Sequence, residues 1–141
     1  MIRRKHNQAF TLIEALIASV LVGFAIAALV SANASFSMAN GAGANLSTAE
    51  FLIEQVREMT AMMAVDDLGT LAAQSPFSPP VDASQTVLTD FPTYAQQVTV
   101  DNVSAQDFDT VVGSSDFFRI TVTISNNGIQ VSQASWIRAR Y

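Results

Sequence analysis

Ala9-Phe10-Thr11-Leu12-Ile13-Glu14, followed by the uncharged apolar run Ala15 to Val30, is the stretch that decides the fold. From Phe10 to Val30 the only formal charge is Glu14. At a rise of ~1.5 Å per residue, a helix of this length matches the ~30 Å hydrocarbon core of a bilayer, so the stretch reads as a membrane-spanning helix. A carboxylate near the start of such a helix pays a desolvation cost of several kcal/mol, much of which a partner ammonium at hydrogen-bond distance recovers. Glu14 is therefore a functional candidate that requires a cation.

Upstream lie Met1 to Gln8, with Arg3, Arg4 and Lys5, and then the small residue Ala9. A short basic leader, a small residue and a Phe-Thr-Leu-Ile-Glu start to a long apolar helix resemble the processing signal of type IV pilins and type II secretion pseudopilins. The match runs from the leader to about Val30; Ala9 departs from the glycine usual at that position. The resemblance implies cleavage between Ala9 and Phe10 by a membrane prepilin peptidase, N-methylation of the new Phe10 amine, and a meeting of the Glu14 carboxylate with the Phe10 amine of a neighbouring subunit. It also implies a single pass through the bacterial inner membrane, with the N-terminus cytoplasmic and the C-terminal domain exported. The subunit would sit in membrane lipid before an inner-membrane assembly platform and its ATPase add it to a periplasmic or cell-surface filament of other pilin or pseudopilin subunits. In physical terms, the cut creates the ammonium that Glu14 lacks and removes the basic residues that hold the N-terminus inside. The plainer alternative is an ordinary signal anchor with Glu14 at the headgroup level.

The chain has 141 residues. The hydrophobic helix takes a large share of them and leaves one small globular domain. The expected organisation is a cleaved leader over 1-9, a transmembrane or filament-core half-helix over 10-34, and an exported globular domain over 35-141. Seven Lys and Arg against twelve Asp and Glu give a net charge of −5, and loss of the three basic leader residues lowers it further. An acidic domain is a poor partner for a nucleic-acid backbone, so no nucleic-acid contact is expected. Cysteine is absent and the one histidine is His6 in the leader, which excludes disulfides, Cys nucleophiles, Ser-His-Asp triads and the usual zinc sites from the cleaved chain. The expectation is no enzyme, no cofactor and no catalytic residues. Many major pilins close a C-terminal loop with a disulfide, so the missing cysteines look more like a minor pilin or minor pseudopilin.

Past Val30 the helical pattern turns small and polar, and Asn40-Gly41-Ala42-Gly43-Ala44-Asn45 is its weakest part, where a bend or fray is expected. Ser47-Thr48-Ala49-Glu50 fits a capping box that restarts a helix if the glycines interrupt it. From Glu50 to Met63, Leu52, Val56, Met59 and Met63 form an apolar stripe with Ile53 and Thr60 alongside, suited to covering a sheet. No proline precedes Pro76, whereas family members often carry one within the hydrophobic helix. Asp66-Asp67-Leu68-Gly69 is expected to end the helix, and Ser75-Pro76-Phe77-Ser78-Pro79-Pro80 to form a semi-rigid extended linker.

Beyond the prolines the period becomes two. Val98 and Val100 alternate within Tyr94 to Val103, and Phe118, Ile120, Val122 and Ile124 alternate with Arg119, Thr121 and Thr123. Asn126-Asn127-Gly128 predicts a tight hairpin back into Ile129-Gln130-Val131. A plain two-residue turn places the even-numbered apolar row beside Ile129, Val131 and Ile137. The predicted fold class is α+β: a long N-terminal hydrophobic helix packed on an antiparallel sheet of three or four strands, which is also the pilin-like fold that the resemblance implies.

Asp107-Phe108-Asp109, with Asp116 nearby, is the one cluster with calcium-like chemistry, but it lacks EF-hand spacing and reads as a solvated turn, so no metal is expected. Trp136, Arg138, Arg140 and Tyr141 make an aromatic and cationic C-terminal strand, either a contact for a neighbouring subunit or an edge capped by charge. The resulting expectation is a structural subunit of a type IV pilus or type II secretion pseudopilus. The competing expectation is a secreted soluble domain released by signal peptidase after Ala34, because Ala32-Asn33-Ala34 fits an A-x-A site.

Overall fold

The protein is described by a computed structural model covering residues 11–140. Its first element, α1, is a 51-residue helix, Leu12–Met62. Thr11 starts it as an N-cap: its Oγ1 and its carbonyl accept the Glu14 N–H at 3.3 and 3.1 Å, which satisfies an amide that the helix itself leaves unpaired. The helix runs through Gly41 and Gly43 without a break, contrary to the expected fray. Ser47 starts no new helix, and the Thr48 hydroxyl instead donates back to the Ala44 carbonyl at 3.1 Å. Two compact units divide between Gly41 and Ala42 and are described separately.

In the first unit every described residue is exposed. The helix there is continuous because nothing in its sequence removes a backbone donor, and Ser19 and Ser35 return their hydroxyls to the carbonyls of Ala15 and Ser31 at 2.8 and 3.1 Å.

The second unit is organised by the amphipathic end of α1. Ala49, Leu52, Ile53, Val56, Met59 and Thr60 are its buried positions, a run of three- and four-residue steps that makes one face. The helix stops at Met62. Beyond it the structure corrects the expectation of a plain helix end. Val65–Asp67 forms a single 3-10 turn, and Leu68–Gln74 forms a second helix, α2, which buries Leu68 and Leu71. The prolines that follow are also more than a linker. Phe77 and Gln96 exchange backbone hydrogen bonds at 2.9 and 3.0 Å, the Ser75 hydroxyl donates to the Val98 carbonyl at 2.9 Å, and Pro80 is buried.

Three antiparallel strands follow: β1 (Tyr94–Asn102), β2 (Phe117–Asn126) and β3 (Ile129–Ala139), in the order β1-β2-β3. The hairpin between β2 and β3 turns on Asn127 (φ 50°) and Gly128 (φ 78°), the left-handed pair that a type I′ turn requires. Its register then departs from the expected one. Asn126 pairs with Ile129 and Ser125 with Gln130, but after a shift at Ile124/Ser125 the pairs are Val122 with Ala134 and Ile120 with Trp136. One additional residue on β3 makes a bulge that exchanges the strand's faces. Trp136 and Ala134 therefore pack against the core. Of the three residues expected in that row, only Val131 packs there; Ile129 is 74% exposed, and Ile137 pairs with Arg119 on the opposite face.

The core is formed by the α1 face, Leu68 and Leu71, and the inward rows of the sheet: Val98, Ile120, Val122 and Ile124. One polar side chain lies at its centre. Gln96 is fully buried, and its amide is saturated: Nε2 donates to the carbonyls of Leu52 and Val81, both at 3.1 Å, while Oε1 accepts the Val81 N–H at 2.8 Å. A single side chain thus ties α1, the post-proline segment and β1 together, with none of its own amide groups left unpaired.

Candidate functional site

The expected processing residues Ala9 and Phe10 lie outside the described residues, as does Tyr141. Glu14 is described: it is exposed, in the first turn of α1. With Thr11 as N-cap it takes the third helical position, where the positive end of the helix dipole favours a carboxylate. The Thr-x-x-Glu spacing at Thr11 is a capping pattern that the sequence reading did not use. A carboxylate suits that position in any helix, with or without a partner.

The helix that follows Glu14 is largely apolar. Leu12, Ile13, Leu16, Leu21, Phe24, Leu29 and Phe36 are all more than half exposed. Among the described residues, α1 is the one helix long and apolar enough to cross a membrane, and none of its most apolar window is buried. With the Ser19 hydroxyl bonded to the helix backbone, Leu12 to Val30 presents a hydrocarbon surface in which only Glu14 carries charge.

The acidic cluster resolves into a turn and an ion pair. The Asp107 carboxylate accepts the Asp109 and Thr110 N–H groups, both at 3.0 Å, and the Thr110 hydroxyl at 2.6 Å. These bonds to its charged form, the Thr110 hydroxyl first, hold its carboxyl at about 2, below the ordinary 3.8. Asp109 instead faces Arg119: Nη1 reaches its carboxylate at 2.7 Å and its carbonyl at 3.0 Å, while Nη2 reaches Asp101 at 3.3 Å. The Asp116 carbonyl accepts the Arg140 N–H at 2.7 Å. Among the described residues no group of three or more His, Cys, Asp or Glu converges as a metal site would.

The cationic C-terminal strand is engaged within its own unit. Arg138 donates to the carbonyls of Thr60 and Met63, serving the unpaired carbonyls where α1 ends. Arg140 reaches Asp66 at 2.6 Å and lies 5.3 Å from the Phe118 ring centre, and Arg57 lies 5.2 Å from that of Trp136. Of the two expectations for this strand, the guanidinium and indole groups of 136–140 bear on intramolecular packing.

Residues 4–30 match the family model described as the prokaryotic N-terminal methylation motif. No curated protein and no solved structure matches the chain. The motif, the long N-terminal helix and the small three-stranded antiparallel sheet define a pilin-like α+β protein. The motif match supports its place in the type IV pilin and pseudopilin family. It implies processing by prepilin peptidase and assembly with other pilins, and with the fold it points to a structural protein; the apolar helix fits a membrane anchor.

Proposed function

We propose that the chain is a minor pilin or minor pseudopilin, a structural subunit of a type IV pilus or a type II secretion pseudopilus. Residues 1-9 are the cytoplasmic leader, 10-34 the span, and 35-141 the exported domain. Prepilin peptidase cuts between Ala9 and Phe10, the Phe10 amine is methylated, and the assembly platform draws the subunit from inner-membrane lipid into the filament. There Glu14 pairs with the Phe10 amine of its neighbour. The observation that carries this reading is the segment Leu12 to Val30: it is fully helical, exposed throughout and apolar apart from Glu14 and Ser19, whose hydroxyl donates to the helix backbone. Such a surface is stable only in lipid or among like helices. The chain's lack of cysteine favours the minor class.

Mass spectrometry of the N-terminus in native filaments tests the assignment. A methylated Phe10 is expected; a retained leader overturns it, and a mature chain beginning at Ser35 replaces it with the secreted alternative. Glu14→Ala should leave cleavage intact while reducing incorporation. Glu14→Gln keeps the length and polarity of the side chain in the first turn of α1 and loses the charge, so it should reduce incorporation as Glu14→Ala does. Wild-type incorporation of Glu14→Gln would remove the electrostatic role.

A further inference from the structure

The sheet has a second face, turned away from α1, built largely of threonine, serine and glutamine. Arg119, Thr121 and Thr123 alternate with the buried row of β2. Across the strand boundary Thr121 pairs with Ser135 and Thr123 with Gln133. The one cation, Arg119, is already matched by Asp101 and Asp109. The result is an open groove of about 440 Å3 in which the hydroxyl and amide groups of Thr121, Gln133 and Ser135 lie between the Asp109–Arg119 pair and the side chains of Trp136 and Ile137, within the size range of small-molecule sites.

An aromatic ring stands at its wall. Phe108 has φ 56° and is 40% exposed, and a bulky L-residue takes this left-handed conformation only where its surroundings enforce it. Three contacts do so here. Its N–H donates to the Ser104 carbonyl at 2.9 Å, its ring meets Phe117 edge-to-face at 5.1 Å, and its neighbours Asp107 and Asp109 are fixed by the turn and by Arg119. An exposed aromatic held rigid beside uncharged donors and acceptors is a preorganised surface: the ring supplies a negative face, and its ordering cost is met before any ligand arrives.

We propose that this groove binds a neutral saccharide, with one sugar ring laid against Phe108 and its hydroxyls bonded to Thr121, Gln133 and Ser135. Sugar C–H groups are polarised positive by their oxygens and complement an aromatic face, while the hydroxyls match a floor of hydroxyl and amide groups. Arg119 faces two carboxylates, Asp101 and Asp109, and this surplus of negative charge disfavours anionic ligands. The site is independent of the filament assignment, since it uses no residue of α1.

The test is saturation-transfer NMR on the full chain in dodecylphosphocholine micelles, a detergent without sugar, using maltose, cellobiose and N,N′-diacetylchitobiose as probes. At least one should receive saturation, strongest on the C–H face of one ring. Affinity should fall at least tenfold in Phe108→Ala and severalfold in Gln133→Ala, and be retained in Phe108→Trp. Gln133 is exposed and outside the core, so its variant reports on binding without the risk of unfolding. Absence of transfer to all three probes overturns the proposal, as does unchanged affinity in both alanine variants. So does self-association of the wild type that Phe108→Ala abolishes without any sugar binding, which would make the groove a protein contact.

Discussion

The two halves of α1 share one backbone and differ in what surrounds them. From Leu12 to Gly41 no residue is buried, although the segment is rich in Leu, Ile, Val and Phe; from Ala49 onward, six positions of one face are buried by the unit's own sheet. Leu12 to Val30 is apolar on all sides, the second half on one. Helical continuity therefore says little about environment, whereas the angular spread of apolar residues says a great deal. A helix apolar on all sides needs a solvent or partners that its own chain does not supply.

The sharpest way to break this contrast is to apply the same truncation to each half. Leu52 is fully buried and Leu21 is 62% exposed. Leu52→Ala should destabilise the folded unit by about 2–5 kcal/mol through lost burial and the cavity left behind, whereas Leu21→Ala should leave its melting temperature unchanged. Thermal unfolding of the two variants in detergent checks both, and a comparable fall in each would mean that the halves are not distinct. The converse substitution tests the first half in its own solvent. Val22→Arg should cost about 2.5–3.5 kcal/mol at the centre of a span, seen as loss of the chain from the carbonate-resistant membrane fraction. Full retention there would argue against the span.

The legible parts of the fold are those where periodicity alone determines the outcome. The α1 stripe, the β2 alternation and the Asn127-Gly128 turn all took the predicted form because each is local. The β3 register was not legible. Val131 alternates with Ile129 as an unbulged strand would, and the inward-facing Ser132 disguises the shift, since its partner is Glu50, 82 positions away, at 2.8 Å. The second helix did leave a signal, Asp66 and Asp67 ahead of Leu68 and Leu71, but Asp66-Asp67-Leu68-Gly69 also fits a helix end, and Gly69 merely weakens a short helix that packing holds. Arg138 read as a surface charge because the end of α1 that it serves is unknown until the sheet is placed. For the candidate site the division is similar. The Phe10 to Val30 pattern was legible because a bilayer imposes length and composition, and the Phe108 groove was not, because it depends on strand register and loop conformation together.

Gln96 sharpens the comparison from the backbone side. In the buried half the Leu52 carbonyl accepts a tertiary hydrogen bond, whereas the bonds in the exposed half that involve Ser19 and Ser35 are local to the helix. Gln96→Leu keeps approximate volume but leaves the Val81 N–H, itself bonded to Oε1, without a partner. A buried unpaired amide costs about 1–3 kcal/mol, so a fall in stability smaller than that of Leu52→Ala is expected. Hydrogen exchange should show faster opening at Val81 than in the middle of α1, and unchanged exchange at Val81 would show that another acceptor replaces the glutamine.

Acid provides the mildest perturbation, and it should reach neither half of α1. Bonds to its charged form hold the Asp107 carboxyl at about 2, below the ordinary 3.8, the Thr110 hydroxyl first and then the backbone N–H groups of Asp109 and Thr110. The folded carboxyl holds its proton less tightly than the unfolded one, so its contribution is fully present above about 4 and is lost as pH falls through about 2. The group is fully exposed, so the effect should be local: exchange protection at Asp109 and Thr110 declines across that window while Leu52 to Thr60 stay protected. Asp107→Asn keeps an acceptor but has no proton to gain, and should remove this local pH dependence. If the mutant's loop still loosens between pH 4 and 2, the Asp107 carboxylate does not govern the turn.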